Sequence, residues 1–207
     1  MIIKEACVDS AERAEKAESL GADRVELCAR LDVDGLTPSL VLAQYISTKI
    51  KIPVMVMVRP REGNFHYSDN EHHEMVDTIR MLSELPIQGV VFGSLTKEGW
   101  PDINKVTELI KAAGSLETTF HKAIDESPEP IEAARQLNTT GITRILTSGG
   151  KETAEEGASI INQMQKVSSA IIIAAGKITS VNLDYIRNLM SVEEFHGKRI
   201  VGDIYST

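Results

Sequence analysis

The chain has 207 residues, of which 42% are hydrophobic and 25% charged, the composition of an ordinary globular domain. Its formal net charge of -8, without any local basic patch, argues against binding to nucleic acid or to an anionic membrane surface. The apolar stretches are too short to span a bilayer, and the N-terminus lacks the regions of a secretory signal. We therefore expect one domain over residues 1–207, located in the cytoplasm.

Eight short segments rich in β-branched residues alternate with longer segments of helical periodicity. The short segments predict strands at Ile2–Cys7, Arg24–Cys28, Val54–Arg59, Gly89–Phe92, Thr118–His121, Thr143–Leu146, Ala170–Ala174 and Glu193–His196. Capping side chains or prolines mark most of the helix starts between them, which are predicted at Asp9, Pro38, Asp69, Asp102, Pro128, Glu152 and Thr179.

Strands that alternate with helices form a parallel sheet covered on both faces, as the apolar run Val54–Val58 also indicates. Eight units predict a compact TIM-type (β/α)8 barrel, with a doubly wound open sheet as the alternative. No G-x-G-x-x-G motif follows the first strand, which weakens the dinucleotide-binding form of the open sheet.

The segment after the eighth strand, Gly197–Thr207, has no convincing helical period, so the final helix is expected to be short or missing. A missing helix would leave apolar barrel surface uncovered between the first and last units. Because self-association is a common way to cover such a surface, the sequence predicts a homodimer or another homo-oligomer.

The first two strands end in the same pattern, a glutamate followed two residues later by a cysteine: Glu5 and Cys7, then Glu26 and Cys28. Residues two apart on a strand share a face. If that face is the barrel interior, the two carboxylates and the two thiols should lie side by side, about 4.8 Å apart. The glutamates would then complement a substrate in catalysis.

Two arginines, Arg59 and Arg61, share one face at the end of the third strand. Arginine side chains bind carboxylates and other oxyanions, so this pair is a candidate clamp for a small anionic metabolite. The alternative is a buried charge network in which Glu5, Glu26 and the two arginines satisfy one another without a ligand.

His121 ends the fifth strand, with Asp125 four residues further on. A histidine titrates near neutrality and a neighbouring carboxylate can fix its tautomer, so His121 is the candidate general acid–base group. The alternative is a histidine that caps the following loop. His196, at the end of the eighth strand, could face the same cavity, whereas solvated side chains are expected at His66, His72 and His73.

The sixth strand leads into a turn of small residues, with Ser148 and Gly149 directly before a predicted helix. Backbone N–H groups in such a turn can approach an anion, and the helix N-terminus favours negative charge. Ser148 and Gly149 are therefore candidates for binding a phosphate or carboxylate, although glycines before a helix are more often a tight turn.

The two cysteines are too few for a disulfide framework, and a reducing compartment would keep them as thiols. Soft thiolate and thioether ligands suit Cu(I), and Met55 and Met57 lie on the third strand with the parity of Arg59. The alternative is a purely structural role, in which the buried cysteines act as small hydrophobic residues and the methionines fill the core. The chain has no C-x-x-C motif, which would have strengthened the metal hypothesis.

Several multi-residue motifs, in order and over nearly the whole chain, resemble those of the CutC family of copper homeostasis proteins. The matching segments are Glu5–Ser10, Gly21–Cys28, Gly35–Ser39, Arg59–Ser68, Thr119–Asp125 and Arg144–Gly150. The resemblance implies a TIM-type barrel in the cytoplasm that handles copper. It also implies that Cys7 and Cys28 match the cysteines proposed in that family as copper ligands.

The chain departs from the family pattern after the seventh and eighth strands. Ile173–Lys177 stands where the family has a glycine-rich stretch, and Phe195–Arg199 is one residue shorter than the usual ending. Both changes lie where barrels build phosphate sites, so they weaken anion binding more than thiol chemistry.

Two hypotheses follow. The first is a copper homeostasis protein that binds Cu(I) through Cys7 and Cys28 at the C-terminal face of the barrel. The second is a barrel enzyme of unreadable reaction class. It would act on a small anionic metabolite held by Arg59 and Arg61, with His121 as the acid–base group.

Overall fold

The computed structural model describes residues 2–206, in which eight parallel strands form a closed barrel in sequential order. The predicted (β/α)8 barrel is thus confirmed and the open sheet is excluded. The strands are β1 (Ile3–Val8), β2 (Arg24–Leu27), β3 (Val54–Met57), β4 (Gly89–Phe92), β5 (Glu117–Phe120), β6 (Arg144–Thr147), β7 (Ile171–Ala174) and β8 (Glu194–Gly197).

Seven α-helices connect the strands within the described part of the chain: α1 (Ala11–Ser19), α2 (Leu40–Lys49), α3 (Asp69–Leu82), α4 (Ile103–Ala113), α5 (Pro130–Leu137), α6 (Ala154–Val167) and α7 (Leu183–Arg187). Short 3-10 helices lie at Leu31–Val33 and Lys122–Glu126. Ser68 and Thr153 begin α3 and α6 through complete capping boxes. The helix starts agree with the sequence prediction to within two residues, except that α7 begins at Leu183 instead of Thr179.

Alternate side chains along each strand point to opposite sides of the sheet, so the barrel has an outer core and an inner one. Side chains that point outward from the barrel pack against the helices in one continuous apolar cluster, which includes Val56, Phe92, Phe120, Phe195, Ile46, Ile79 and Leu109. Side chains that point inward form small apolar clusters among charged residues, and one of these clusters contains Cys7, Cys28, Met55, Met57 and Val91. The inward-facing residues at the strand ends therefore carry the chemistry.

In the described residues no helix follows β8, as the sequence predicts. The segment after β8 nevertheless packs onto the barrel, because Ile200 and Ile204 are buried. The Tyr205 hydroxyl also donates a hydrogen bond of 2.7 Å to the Cys7 carbonyl. The expected exposed gap between the first and last units is thus at least partly covered by the chain itself. No helix among residues 2–206 is both long and apolar enough to cross a membrane.

Candidate functional site

A cavity of 810 Å³ opens at the C-terminal ends of the strands. Its walls come from the ends of β1, β2, β3, β5, β6 and β8 and from the loops that follow them. The lining residues used below are Cys7, Glu26, Leu31, Val33, Met57, Arg59, Phe65, His121, Lys122, Asp125, Leu146 and His196. This is the end of the barrel at which TIM-barrel proteins place their functional residues.

Cys7, Glu26 and His196 line the cavity, and together with the adjacent Cys28 they form what we call the thiol cluster. The two sulfur atoms are 4.0 Å apart, and Cys28 Sγ lies 3.5 Å from Glu26 Oε2. Cys7, Glu26 and His196 each bring one potential ligand atom to within 4.8 Å of the others. Cys7 lines the cavity, whereas Cys28 is buried behind it.

The predicted side-by-side arrangement agrees with the structure for the two thiols, whose sulfur atoms are 4.0 Å apart, but it is wrong for the two glutamates. In the β1–β2 register Cys7 lies opposite Glu26, and Glu5 lies opposite Arg24. Neighbouring strands of a closed barrel are staggered, and here the stagger shifts the two patterns by two residues. The shift preserves parity, so all four side chains still point inward, but Glu5 lies one layer deeper than Glu26.

Protonation in the thiol cluster is set by close contacts. The hydrogen bond with Cys28, against the effect of burial, lowers the pKa of Cys7 to about 5, which favours its thiolate form. The contact with Cys7, together with burial, raises the pKa of the Cys28 thiol well above its usual value. Burial also raises the pKa of Glu26 to about 8, although the His196 imidazole opposes this shift.

His196 links the thiol cluster to Glu5. Its Nδ1 lies 2.9 Å from Glu5 Oε1, and its Nε2 lies 3.7 Å from Glu26 Oε2. Although burial lowers the pKa of His196, the nearby Glu26, Cys7 and Glu5 raise it well above its usual value. The expectation that His196 faces the cavity agrees with the structure, in which His196 lines the cavity, lies close to Cys7 and contacts Glu5 and Glu26.

Glu5 does not line the cavity. It forms an ion pair with Arg24, which also binds Glu194, and Glu194 in turn binds Arg144. Despite the opposing effect of burial, Arg24 and His196 lower the pKa of Glu5 to about 2. Glu117 completes this buried charge network through Arg144.

The sequence reasoning missed Arg24, Arg144 and Glu194. Arg24 has the same parity as Glu26, and Glu194 the same parity as His196, so the spacing that indicated the inward-facing residues also contained these charges. The network that the sequence suggested as an alternative, among Glu5, Glu26, Arg59 and Arg61, does not form.

The predicted clamp of two arginines does not form either. Arg59 lines the cavity, but its terminal nitrogens donate to the carbonyls of Val33, Gly35 and Gly63. Arg61 is bound to Glu71 and to loop carbonyls and does not line the cavity. Because β3 ends at Met57, the chain beyond Arg59 is a loop in which strand parity no longer applies.

His121 lines the cavity as expected but differs from the predicted acid–base group. The Ala123 backbone N–H donates to its Nδ1 at 3.1 Å, so the histidine caps the 3-10 helix that follows, and Nε2 carries the proton. Burial, assisted by the Arg59 charge, lowers the pKa of His121 to about 3. At neutral pH His121 is a hydrogen-bond donor, and Asp125 does not fix its tautomer.

Asp125 occupies the turn that the sequence suggests as an anion site. Its carboxylate accepts hydrogen bonds from the backbone N–H groups of Ser148, at 2.9 Å, and Gly150, at 2.8 Å. It also accepts bonds from the side chains of Ser148 and Thr147. Gly149 packs closely on α6 and donates to the Thr147 hydroxyl. The predicted anion-binding geometry is therefore present, but an aspartate of the same chain fills it.

Three further expectations concern histidines and methionines. His66 and His73 are exposed as predicted, but His72 is buried because α3 packs on α4, where His72 Nε2 lies 2.8 Å from Glu108 Oε2. Met55 and Met57 are buried in the inner cluster, in agreement with a core-filling role.

A closed (β/α)8 barrel with thiols, a carboxylate and an imidazole at its C-terminal face is a TIM-barrel protein with a candidate metal or thiol site at the usual end. The model of the CutC family matches residues 2–201. The chain is 40% identical over 196 residues to the human copper homeostasis protein cutC homolog, covering 94% of this chain and 72% of that protein.

It is also 40% identical over 198 residues to the CutC family protein of Salmonella schwarzengrund, covering 95% of this chain and 79% of that protein. The crystal structure of CutC from Streptococcus agalactiae superposes with a TM-score of 0.91 at 32% identity, covering 97% of this chain and 100% of that one. This chain belongs to the CutC family.

Proposed function

We propose that this protein acts in copper homeostasis by binding Cu(I) through Cys7 and Cys28. The observation that carries the proposal is the 4.0 Å separation of the two sulfur atoms. With metal–sulfur bonds of about 2.3 Å, the length of zinc–thiolate bonds, an ion between two sulfurs fits any separation up to about 4.6 Å. Thiolates are among the ligands that Cu(I) prefers.

The surroundings of the sulfurs support the proposal. Cys7 gives an ion a route from the cavity, and its thiolate form is the one that binds metals. Glu26 Oε1 is buried without a hydrogen-bond partner in the described structure, so the thiol cluster is not internally satisfied. The name of the human relative, a copper homeostasis protein, agrees with this function.

The proposal places the protein in the cytoplasm, where reducing conditions keep both thiols free. Copper is then its partner, and the homo-oligomer expected from the sequence stays a prediction. The structure gives little support to an enzymatic role with the Arg59 and Arg61 clamp and an acid–base His121, because Arg61 lies outside the cavity and burial lowers the pKa of His121 to about 3.

Titration of reduced protein with Cu(I) against a competing chelator tests the proposal. We expect one tightly bound ion per chain, at least tenfold weaker binding in Cys7→Ser and in Cys28→Ser, and none in the double variant. Met55→Leu, which changes a buried neighbour that does not line the cavity, should bind as the parent protein does. Unchanged binding in the folded double cysteine variant would refute the assignment.

A further inference from the structure

Arg59, which lines the same cavity as the thiol cluster, is a buried cation without a counter-ion. Its side chain contacts no carboxylate within 4.0 Å among the described residues, and the residue is 6% exposed. Two of its guanidinium nitrogens bind loop carbonyls, whereas Nε has no partner. A buried charge without an opposite charge is costly, so this arginine lacks an anion.

His121 presents a second unpartnered donor beside Arg59. Its Nε2–H is buried and makes no hydrogen bond, since the backbone N–H of Ala123 is bound to the other ring nitrogen. Both side chains contact one ring: Arg59 Cζ lies 4.7 Å from the Phe65 centroid, and the His121 ring centroid lies 4.9 Å from it. All three residues line the cavity.

We propose that the cavity binds a small aliphatic carboxylic acid, whose carboxylate accepts hydrogen bonds from Arg59 Nε–H and His121 Nε2–H. Two single donors match the two oxygens of a planar carboxylate, and its one negative charge neutralises Arg59. A phosphate group would need more donors, and the backbone donors of the β6 turn are already bound to Asp125.

The rest of the ligand is defined by the apolar walls. Leu31, Val33, Met57 and Leu146 line the same cavity, so a hydrocarbon chain extending from the carboxylate would be removed from water. Phe65 is half-buried on the loop between β3 and α3 and packs against the Arg59 and His121 side chains. Because both donor atoms are buried, entry of the carboxylate requires local rearrangement around them. This inference does not depend on copper binding.

Calorimetric titration of metal-free, reduced protein with butyrate, hexanoate and octanoate tests the inference. We expect saturable binding of one molecule per chain, with affinity rising about fourfold for each added methylene group that reaches the apolar walls. Hexanol and inorganic phosphate should bind at least tenfold more weakly than hexanoate. Hexanol or phosphate binding as tightly as hexanoate, or no binding of any carboxylate, would overturn it.

Two arginines two residues apart provide a matched pair of variants. Arg59→Gln removes the buried charge and should weaken hexanoate binding at least tenfold. Arg61→Gln removes an arginine that also binds loop carbonyls but lies outside the cavity, and it should leave binding unchanged. Equal losses in the two variants would overturn the proposed contact.

Because Arg59 also holds loop carbonyls, a measurement on the unaltered protein is needed in case Arg59→Gln fails to fold. The imidazole Nε2–H resonance of His121 in a nitrogen-15 NMR spectrum reports directly on the proposed hydrogen bond. Hexanoate should shift this resonance saturably, with the midpoint found by calorimetry. Hexanoate binding without such a shift would place the ligand elsewhere and overturn the proposal.

Discussion

At the scale of single residues, the positions of chemically active side chains are easier to predict than their partners. From the sequence alone, strand ends and residue types indicate His121, Asp125 and the two cysteines as candidate functional residues. The sequence does not show that a backbone amide binds His121 Nδ1 or that Asp125 turns towards β6, because these contacts depend on loop conformations. Both contacts argue against the acid–base role that the sequence suggests for His121 and Asp125.

The lowered pKa of His121 predicts a contribution to acid unfolding. Its pKa falls from about 6.5 in the unfolded chain to about 3 in the folded protein, so the unfolded state binds the extra proton between these values. This stability is complete above pH 6.5 and is lost as the pH falls, with a slope of at most about 1.4 kcal/mol per pH unit.

Urea unfolding from pH 7 to pH 4 measures the effect. His121→Asn, which can still cap the 3-10 helix, should flatten the decline relative to the parent protein. His66→Asn changes an exposed histidine and should leave the slope as it is. A parent-like slope in His121→Asn would contradict the assignment.

Removal of the Asp125 side chain is expected to create an anion-binding site. Asp125→Ala vacates the backbone N–H groups of Ser148 and Gly150, which then remain as an anion site next to Lys122. Without added anion we expect a loss of about 1–3 kcal/mol in the free energy of unfolding. Inorganic phosphate should raise the melting temperature of this variant but not that of Glu126→Ala, its exposed neighbour. No difference between the two phosphate responses would refute this.

At the scale of elements, periodicity predicts the strands, the helices and the inward-facing residues but not the strand register. Parity places Cys7 and Glu26 on the same side of the sheet for several different registers. The stagger that brings Cys7 opposite Glu26 depends on closure of all eight strands. For the same reason, the sequence suggests a thiol site without showing which carboxylate lies next to it.

Because α6 lies close to the turn after β6, replacing Gly157 in this helix by alanine should destabilise the protein instead of stabilising it. In an ordinary helix, Gly→Ala stabilises by about 1 kcal/mol. At Gly157 an added Cβ would lie 1.9 Å from the Ser148 carbonyl oxygen, so Gly157→Ala is expected to destabilise the protein by about 1–3 kcal/mol. Urea midpoints compare it with Ser159→Ala, an exposed position two residues further along α6. A stabilised Gly157→Ala would contradict the observed close approach.

At the scale of the whole molecule, the buried charge network connects strands from around the barrel. Arg24 on β2 binds Glu5 on β1 and Glu194 on β8, so the two strands that close the barrel share one cation. Arg144 extends the network to β5 and β6. Ionic contacts in the interior therefore span the closure between β1 and β8, in addition to the apolar layer outside.

Removal of the central cation tests how far closure depends on these contacts. Arg24→Met leaves the carboxylates of Glu5 and Glu194 partly uncompensated in the interior, and we expect a loss of about 3–5 kcal/mol in the free energy of unfolding. Arg80→Met breaks an exposed ion pair with Asp77 and should cost less than about 1 kcal/mol. Chemical denaturation compares the two variants, and equal costs would show that the network contributes little to closure.

The contact between Glu5 and His196 joins residues 191 positions apart in the chain. His196 lies on β8, so a ribosome-bound nascent chain that still lacks this strand can contain both cysteines without the imidazole beside them. The thiol cluster is thus complete only once β8 has emerged and paired with β1. The parts of the cluster therefore come together in a fixed order, since the two cysteines lie at the ends of the first two strands whereas the imidazole beside them needs the eighth.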